Sequence, residues 1–387
     1  MSRITIHKQL APVMFGCGAV KNTGSVARQL GLARAFLVTD EGVSAAGAAD
    51  KALASLEEAG VAVRVWAGAL TDCPDYTVRE ASAIAREFAA DCVVGVGGGS
   101  VLDTAKAVAA VCANDDGVLG EIPLYLTGQK QYANQPLPVI EVPTTSGTGS
   151  ESTFVSVVTS EMLDCKIGLP VDPTYGIVDP ELTVTVPPEI TGFTGMDAFS
   201  HANEALTEQK ASAHSDLLAY EAIRLIRDNL AAAVQKGDDL QARENLALAS
   251  NLAGISFNES GTHLGHSAAH AIGHMYHIPH GICCANVTPG VIIFTARDYP
   301  GKMKKLGNLM GANITSDDPG VIGQQAAEAV RAFARSVGVK TFRELGLTRE
   351  QILAARDMVC GDGLAHAYGG EFTAQDVENI LLNSYGA

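Results

Sequence analysis

The first half of the chain alternates short β-branched apolar runs with longer Ala-rich runs whose apolar positions recur every three or four residues. The short runs are typical of buried strands, and the longer runs are typical of amphipathic helices. This alternation predicts an open α/β domain with a parallel sheet and crossover helices. The predicted strands cover residues 35–40, 61–66, 92–96 and 139–142, and two of the predicted helices cover residues 48–59 and 75–90.

Beyond the segment Val186-Pro187-Pro188 the hydrophobic pattern becomes almost entirely helical. Because the chain is also long for a single core, we place a domain boundary at residue 185. The prediction is an α/β domain at residues 1–185 and an all-α domain at residues 186–387. Besides a histidine-rich stretch, the predicted helices of the second domain cover residues 196–209, 214–234, 243–258, 320–337, 349–358 and 374–385.

The charge balance, the cysteine content and the length of the apolar runs limit the partners and the compartment that we expect. The 43 acidic residues outnumber the 27 basic ones and give a formal net charge of -16. Nucleic-acid-binding proteins carry clustered Lys and Arg, so we expect no nucleic-acid partner. The eight cysteines are scattered and are interpreted as reduced thiols of a cytoplasmic protein. No apolar run approaches the roughly 20 residues that span a bilayer, so no membrane partner is expected.

A glycine-rich turn follows the third predicted strand. Gly97-Gly98-Gly99-Ser100 leads into an Ala-rich run, and Asp103 lies three residues after Ser100. We expect Ser100 to be the N-cap of a helix and Asp103 to complete a capping box. The glycines let the backbone approach a phosphate, and the N–H groups at the helix start favour an anion. A plain strand-to-helix turn stays open as an alternative, because the usual G-x-G-x-x-G fingerprint lacks its last glycine.

A second polar loop follows the fourth predicted strand. It runs from Pro143 to Glu151 and is rich in Ser, Thr and Gly. Open α/β folds bind their ligands at the carboxyl ends of the strands, where both loops are predicted to lie. The hydroxyl and N–H groups of this loop are therefore expected to contact ribose and phosphate.

Six of the ten histidines fall between His263 and His280. Their spacing of three and four residues predicts a stripe along one helix, which Pro279 ends, with His280 on the turn just beyond it. Buried imidazoles need partners for two nitrogens, so such a stripe is better suited to a metal than to an apolar core. We interpret His263, His274 and His277 as supporting or solvent-facing residues.

A carboxylate and an imidazole also lie four residues apart at Asp197 and His201, on one face of a predicted helix. Together with His266 and His280 they form a set of one Asp and three His. A set of nitrogen and oxygen ligands suits a divalent first-row metal such as Fe(II), Zn(II) or Mn(II), and ligand softness does not separate these ions.

Four segments together resemble, in order, the iron-dependent (group III) alcohol dehydrogenases. The resemblance spans nearly the whole chain. It implies an N-terminal Rossmann-like dinucleotide-binding α/β domain and an all-α C-terminal metal-binding domain, the dehydroquinate synthase-like fold. The matching segments are Gly97-Gly98-Gly99-Ser100 with Asp103 and Lys106, the 143–151 loop, Gly195-Met196-Asp197-Ala198-x-x-His201-Ala202-x-Glu204, and His266-x3-His270-x8-Pro279-His280-Gly281.

The resemblance also implies roles for single residues. Asp197, His201, His266 and His280 match the metal ligands, and His270 matches a histidine near the nicotinamide and is the predicted proton relay. Asp40 matches the acid that meets the adenosine ribose, which favours NAD over NADP because a carboxylate repels a 2′-phosphate. The residues implied to bind the cofactor are Asp40, Gly97, Gly98, Gly99, Ser100, Asp103, Thr144, Thr145, Thr148 and Lys166.

Departures from the family pattern bear on the substrate. Val155 occupies a position that is often polar in diol-active relatives, next to a pocket implied to be walled by Phe257 and Cys360. The Asn-Pro-Arg that usually follows this cysteine is replaced by a longer glycine-rich loop at residues 361–371. These differences change the expected substrate more than the expected reaction.

The predicted function is that of a metal-dependent oxidoreductase. It transfers a hydride between NAD(H) and a small primary alcohol or aldehyde, with or without a second polar group, and Fe(II) is the expected metal, with Zn(II) or Mn(II) as alternatives. The habit of the family implies a homo-oligomer, a dimer or larger. Two alternatives stay open: a zinc polyol dehydrogenase similar to glycerol dehydrogenase, and a non-catalytic protein that binds metal or nucleotide.

Overall fold

The computed structural model describes residues 4–386. They divide into two compact units. The α/β unit comprises residues 9–145 and 149–185, and the helical unit comprises residues 186–386, the described residues up to Lys8 and the short segment Ser146–Thr148. One α/β half and one helical half were predicted, so this fold class is confirmed.

A six-stranded sheet organises the α/β unit. Its strand order is β1-β8-β5-β4-β2-β3, and every pairing in it is parallel. Every residue of β4 and β5 is buried, as expected for central strands covered on both faces. The two remaining strands, β6 and β7, form an antiparallel hairpin. The strands are β1 (Val13–Phe15), β2 (Arg34–Val38), β3 (Ala62–Trp66), β4 (Cys92–Gly97), β5 (Val139–Pro143), β6 (Val155–Ser160), β7 (Cys165–Pro170) and β8 (Tyr175–Val178).

Helices connect the strands of this unit. The longest of them, which follows β4, is buried along most of its length, because it packs in the core behind that strand. The helices are α1 (Thr23–Gln29), α2 (Glu41–Ala45), α3 (Ala48–Glu58), α4 (Asp75–Glu87), α5 (Gly99–Ala113), α6 (Gly117–Gly120) and α7 (Ile122–Leu126), and short 3-10 turns lie at Ala19–Asn22, Ser150–Ser152 and Pro180–Leu182.

The second unit contains only helices among its described residues, apart from an isolated bridge. Two of its longest helices are held at their N-termini by side-chain caps, from Ser212 and Asp239, which satisfy backbone N–H groups that a helix leaves unpaired. None of the described helices is both long and apolar enough to cross a bilayer. The helices are α8 (Pro188–Ala205), α9 (Ala213–Gln235), α10 (Leu240–Ser260), α11 (Leu264–Tyr276), α12 (His280–Thr295), α13 (Pro300–Leu309), α14 (Pro319–Ser336), α15 (Arg349–Leu353), α16 (Arg356–Gly361) and α17 (Ala374–Ser384), with a 3-10 turn at Ala365–Ala367.

Three sequence predictions about local structure were wrong or incomplete. Ser100 is not an N-cap: α5 begins at Gly99, and Gly98 caps it without a side-chain bond. The predicted helix at residues 349–358 is broken into α15 and α16. His280 does not lie on a free turn but begins α12. The sequence of α12 is apolar on most sides, so it lacks the alternation of apolar and polar faces that predicts an amphipathic helix.

Candidate functional site

One face of α8 carries three ionisable side chains. Asp197, His201 and Glu204 follow one another at spacings of four and three residues, which places them along one stripe of the helix. All three are almost completely buried, with 3%, 6% and 1% of their surface exposed. Burying such groups is costly unless each is paired, so their partners must lie on the helices that pack against α8.

The partners come from α11 and α12. His266 lies in the first turn of α11 and His280 is the first residue of α12. From Asp197 Oδ1, the distance is 3.4 Å to His280 Nε2, 4.0 Å to His266 Nε2 and 4.0 Å to His201 Nδ1. The structure therefore brings the four predicted ligands together around one carboxylate oxygen.

Three of these donor atoms have no hydrogen-bond partner. Asp197 Oδ1, His201 Nδ1 and His266 Nε2 are buried without one. Ligand atoms about 2.0–2.2 Å from a tetrahedral cation lie roughly 3.5 Å apart, which is close to the separations in this cluster. A carboxylate and neutral imidazoles are donors that divalent first-row metals accept. The residues therefore fit a divalent cation.

Glu204 supports His266 from the side opposite Asp197. Its Oε2 lies 3.3 Å from His266 Nδ1 and also accepts a hydrogen bond from the backbone N–H of His263. A carboxylate at one imidazole nitrogen holds the proton there and leaves the other nitrogen free for a metal. The helices approach closely at this point, because a Cβ on Gly265 would lie 1.8 Å from Glu204 Oε1. The sequence shows Glu204 seven residues after Asp197, but its role was not predicted.

The electrostatics of the cluster follow from burial and from mutual contact. Burial raises the pKa of Asp197 to about 6, against the lowering effect of His266. Burial also acts on Glu204, but the neighbouring His266 and His263 outweigh it and bring the pKa of Glu204 down to about 2. Burial, reinforced by the charge of His266, lowers the pKa of His201. The pKa of His266 is raised, because Glu204 and Asp197 together outweigh its burial. Glu204 is thus the fixed anion of the cluster.

The predicted relay, His270, lies one turn after His266 and is half-buried. Its ring centroid is 5.2 Å from that of His280 and 6.3 Å from that of His266. Phe257 of α10 stacks on the His201 ring at 4.2 Å between centroids. His270 therefore sits beside the donor cluster and is partly accessible, and Phe257 covers the cluster at His201.

The three remaining histidines of the stripe have different surroundings. His263 is fully buried, and its Nε2 is 2.8 Å from the hydroxyl of Thr207. His274 is half-buried, and His277 is exposed at the end of α11 in the left-handed region with φ 54°. The helix ends before His277, so the predicted stripe is shorter than the spacing alone suggested.

The carboxyl ends of three adjacent strands gather most of the predicted nucleotide-binding residues. Gly97 ends β4 beside Pro143 of β5, and the backbone N–H of Thr144 donates to Gly97 O. Asp40 follows β2, which pairs with β4 on its other side, and caps α2 by accepting from Val43 N. The shared sheet edge is the position at which open α/β folds bind ligands.

Gly97 is required by close packing at this edge. A Cβ on Gly97 would lie 2.5 Å from the side chain of Val101, so only glycine lets the strand turn directly into α5. This turn leaves Ser100 inside the helix, where its hydroxyl accepts from Asp72 N instead of capping. Lys166 of β7 lies 2.6 Å from Asp72 Oδ1. Asp72 therefore connects Lys166 to Ser100 in the first turn of α5.

Other predicted cofactor residues are placed less directly. Asp103 Oδ1 lies 3.4 Å from the Ser150 hydroxyl, and burial raises the pKa of Asp103 to about 7 against the lowering effect of Lys106. Thr145 approaches Gly98, where a Cβ would be 3.5 Å from its side chain. Thr148 belongs to the segment that clusters with the helical unit.

The residues predicted to form the substrate pocket are distributed over both units. Val155 begins β6 in the α/β unit, where its carbonyl accepts from Lys106. Cys360 lies in α16 and packs against an apolar cluster of the helical unit. The 361–371 loop is attached to α11, because Asp362 accepts a hydrogen bond of 2.8 Å from the hydroxyl of Ser267, the residue after His266.

Two family models match the chain. The model described as iron-containing alcohol dehydrogenase matches residues 11–180. The model described as the C-terminal part of the Fe-containing alcohol dehydrogenase family matches residues 191–385.

Individual relatives are similar over nearly the full length. The NAD-dependent methanol dehydrogenase of Bacillus methanolicus is 33% identical over 96% of this chain and 97% of its own. The 1,3-propanediol dehydrogenase of Klebsiella pneumoniae is 34% identical over 96% of each chain. A crystal structure of 1,3-propanediol oxidoreductase superimposes with a TM-score of 0.91 at 32% identity and covers 99% of this chain and 100% of its own.

Proposed function

The chain belongs to the iron-containing alcohol dehydrogenase family, and we propose that Asp197, His201, His266 and His280 bind the metal on which its activity depends. As a member of this family it is an NAD-dependent alcohol dehydrogenase that acts on small alcohols. The observation that carries the proposal is the convergence of three imidazole nitrogens within 4.0 Å of Asp197 Oδ1, which is itself buried without a hydrogen-bond partner.

When bound at these residues, a divalent cation polarises the carbonyl oxygen of an aldehyde and lowers the pKa of an alcohol hydroxyl. Glu204 keeps the Nδ1 proton of His266 in place and so presents the Nε2 lone pair. His270, half-buried next to His280, is the proposed group that takes the hydroxyl proton at an imidazole nitrogen and passes it to solvent. We propose Fe(II) as the metal, with Zn(II) and Mn(II) as the alternatives that the donor types allow.

The proposed NAD site is the carboxyl edge of the sheet in the α/β unit. The backbone N–H groups at the start of α5, after Gly97 and Gly98, are suited to the pyrophosphate. Ser100, Asp103, Thr144, Thr145, Thr148 and Lys166 are the further proposed contacts. Asp40 is the proposed partner of the ribose 2′-hydroxyl, since one of its oxygens is engaged by Val43 N and the other is left to accept.

The proposed substrate is a small primary alcohol or the matching aldehyde. Relatives named for methanol and for 1,3-propanediol support this size range. Phe257, stacked on His201, is the aromatic wall that we propose for the substrate, and Val155 and Cys360 are proposed as further apolar lining.

We also propose that the protein works as a homo-oligomer in a reducing compartment such as the cytoplasm. Ile4 and Ile6 are 93% and 90% exposed, and covering such apolar side chains favours assembly. The eight cysteines are free thiols, which a reducing compartment preserves. Light scattering on purified protein would give the oligomeric state.

Metal reconstitution tests the proposed function. Protein purified anaerobically and loaded with Fe(II) is expected to oxidise NADH in the presence of one or more short aldehydes, while the metal-free protein is inactive. A stoichiometric metal load without turnover across a broad panel of short aldehydes would contradict the proposal.

A further inference from the structure

Cys284 lies at the donor cluster and had no predicted role. It follows His280 by one turn of α12, and its sulfur is 3.3 Å from His280 Nε2. One donor atom each from Asp197, His266, His280 and Cys284 lies within 4.8 Å of all the others.

The surroundings of the sulfur point to a ligand rather than to a packing residue. Cys284 is 1% exposed, and the adjacent Asp197 and His266 are both 3% exposed. Asp197 Oδ1 and His266 Nε2 are directed into the same cluster and have no hydrogen-bond partner. A cysteine that only filled space would not need to lie among unpartnered donors.

The distances are also those of a shared cation. With metal–nitrogen bonds of about 2.0–2.1 Å and a metal–sulfur bond of about 2.3 Å, neighbouring nitrogen and sulfur ligands lie roughly 3.5 Å apart. The separation of 3.3 Å between Cys284 Sγ and His280 Nε2 agrees with this value. The i, i+4 spacing on α12 presents both side chains on the same side of the helix.

We propose that Cys284 is a thiolate ligand of the metal, in addition to the Asp and His ligands. This inference rests on the proposed function, because it concerns the same metal. On binding, the metal–sulfur bond replaces the S–H bond, and the proton is released to solvent. A thiolate is a soft ligand, so the site favours Zn(II) or Fe(II) over Mn(II).

Spectroscopy of the full-length protein tests this ligand directly. Protein reconstituted anaerobically with Co(II) is expected to show a thiolate-to-cobalt charge-transfer band in the near ultraviolet. Cys284→Ser should lose this band. Cys283→Ser is the matched control, because Cys283 is equally buried but its sulfur contacts the carbonyl of Ile278, and it should keep the band.

X-ray absorption by the zinc-loaded, unsubstituted protein gives the same answer without a variant that must fold. One sulfur at about 2.3 Å is expected. Metal bound only by nitrogen and oxygen, or a charge-transfer band that persists in Cys284→Ser, overturns the role of Cys284 and leaves the proposed function intact. Failure to bind any metal overturns both.

Discussion

The two units each bury a cluster of charged side chains, and the clusters differ in where their positive charge comes from. In the α/β unit, Lys106 is fully buried and donates to the carbonyls of Ser150 and Thr153 at 2.6 and 2.9 Å, with Glu141 at 3.6 Å. In the helical unit, Asp197 and Glu204 have imidazole nitrogens within 4.0 Å, and among the described residues no Lys or Arg forms an ion pair with them.

This difference indicates that the cluster around Lys106 stabilises the fold, whereas the cluster around Asp197 is suited to chemistry. Lys106 provides a permanent cation from the chain itself and ties the turn at Ser150–Ser152 to α5. The carboxylates of α8 instead have partners whose charge depends on protonation, and Asp197 Oδ1 is left without a hydrogen bond. A buried charge needs compensation in either case. In the helical unit a metal ion is the compensation that the donors fit.

Removing a metal ligand should have the largest effect. His266→Ala deletes an imidazole that lies between Asp197 and Glu204, and losing a metal's electrostatic stabilisation of several kcal/mol corresponds to a rate lower by on the order of 10³-fold. We expect bound metal and kcat to fall together, measured by metal analysis and NADH turnover.

The matched control for this variant is His274→Ala on the same helix, since His274 is half-buried and two turns away. It should keep both metal and activity. If His266→Ala retained full metal content and turnover, the assignment of the cluster around Asp197 as the metal site would be wrong.

Removing the internal cation should instead affect stability. Lys106→Met leaves the carbonyls of Ser150 and Thr153 without their donor, and breaking a buried charge network in this way costs about 3–5 kcal/mol of unfolding free energy. Denaturant unfolding measures this. Lys130→Met is the control, because Lys130 pairs with Glu121 at the surface and its loss should change the stability little. Equal effects of the two substitutions would refute the structural role of Lys106.

The protonation of Glu141 sharpens the comparison further. Burial raises its pKa from the ordinary 4.5 to about 8, against the lowering effect of Lys106, and neither carboxyl oxygen has a hydrogen-bond partner. A folded-state pKa above the unfolded value means that the folded state holds the proton more tightly. Protonated Glu141 therefore makes its full contribution to the stability of the folded state below pH 4.5, and this contribution is lost as the pH rises through 8.

Glu141→Gln should flatten this pH dependence, because glutamine mimics the protonated acid. Relative to the unsubstituted protein, the variant should gain stability as the pH rises from 5 to 8, by a few kcal/mol at most, since each pKa unit corresponds to about 1.4 kcal/mol. Unfolding titrations at several pH values test it. Parallel curves for the two proteins would show that Glu141 is ionised in both states.

The parts of the fold and of the candidate site that the sequence predicts are those set by local geometry. Asp197 and His201 share a helix face by spacing alone, and the turn after β4 is recognisable from Gly97 to Gly99. The roles of Glu204 and Cys284 depend on how α8, α11 and α12 pack against one another. The spacing of residues within one helix carries no information about that packing. Lys106 is hidden for a related reason, since a lysine in an Ala-rich helix is most often solvated and only the tertiary fold buries it.

Asp40, a carboxylate outside both buried clusters, gives the smallest expected effect because its proposed contact involves no cation. It is partly exposed and already accepts a hydrogen bond from Val43 N, so its proposed contact is a neutral ribose hydroxyl. Asp40→Asn keeps the helix cap and removes the negative charge that repels a 2′-phosphate. We expect the ratio of kcat/KM for NADPH to that for NADH to rise about tenfold, equivalent to about 1.4 kcal/mol. Glu41→Gln, one residue later and exposed, is the control. An unchanged ratio in Asp40→Asn would remove Asp40 from the nucleotide site while leaving both buried clusters as they are.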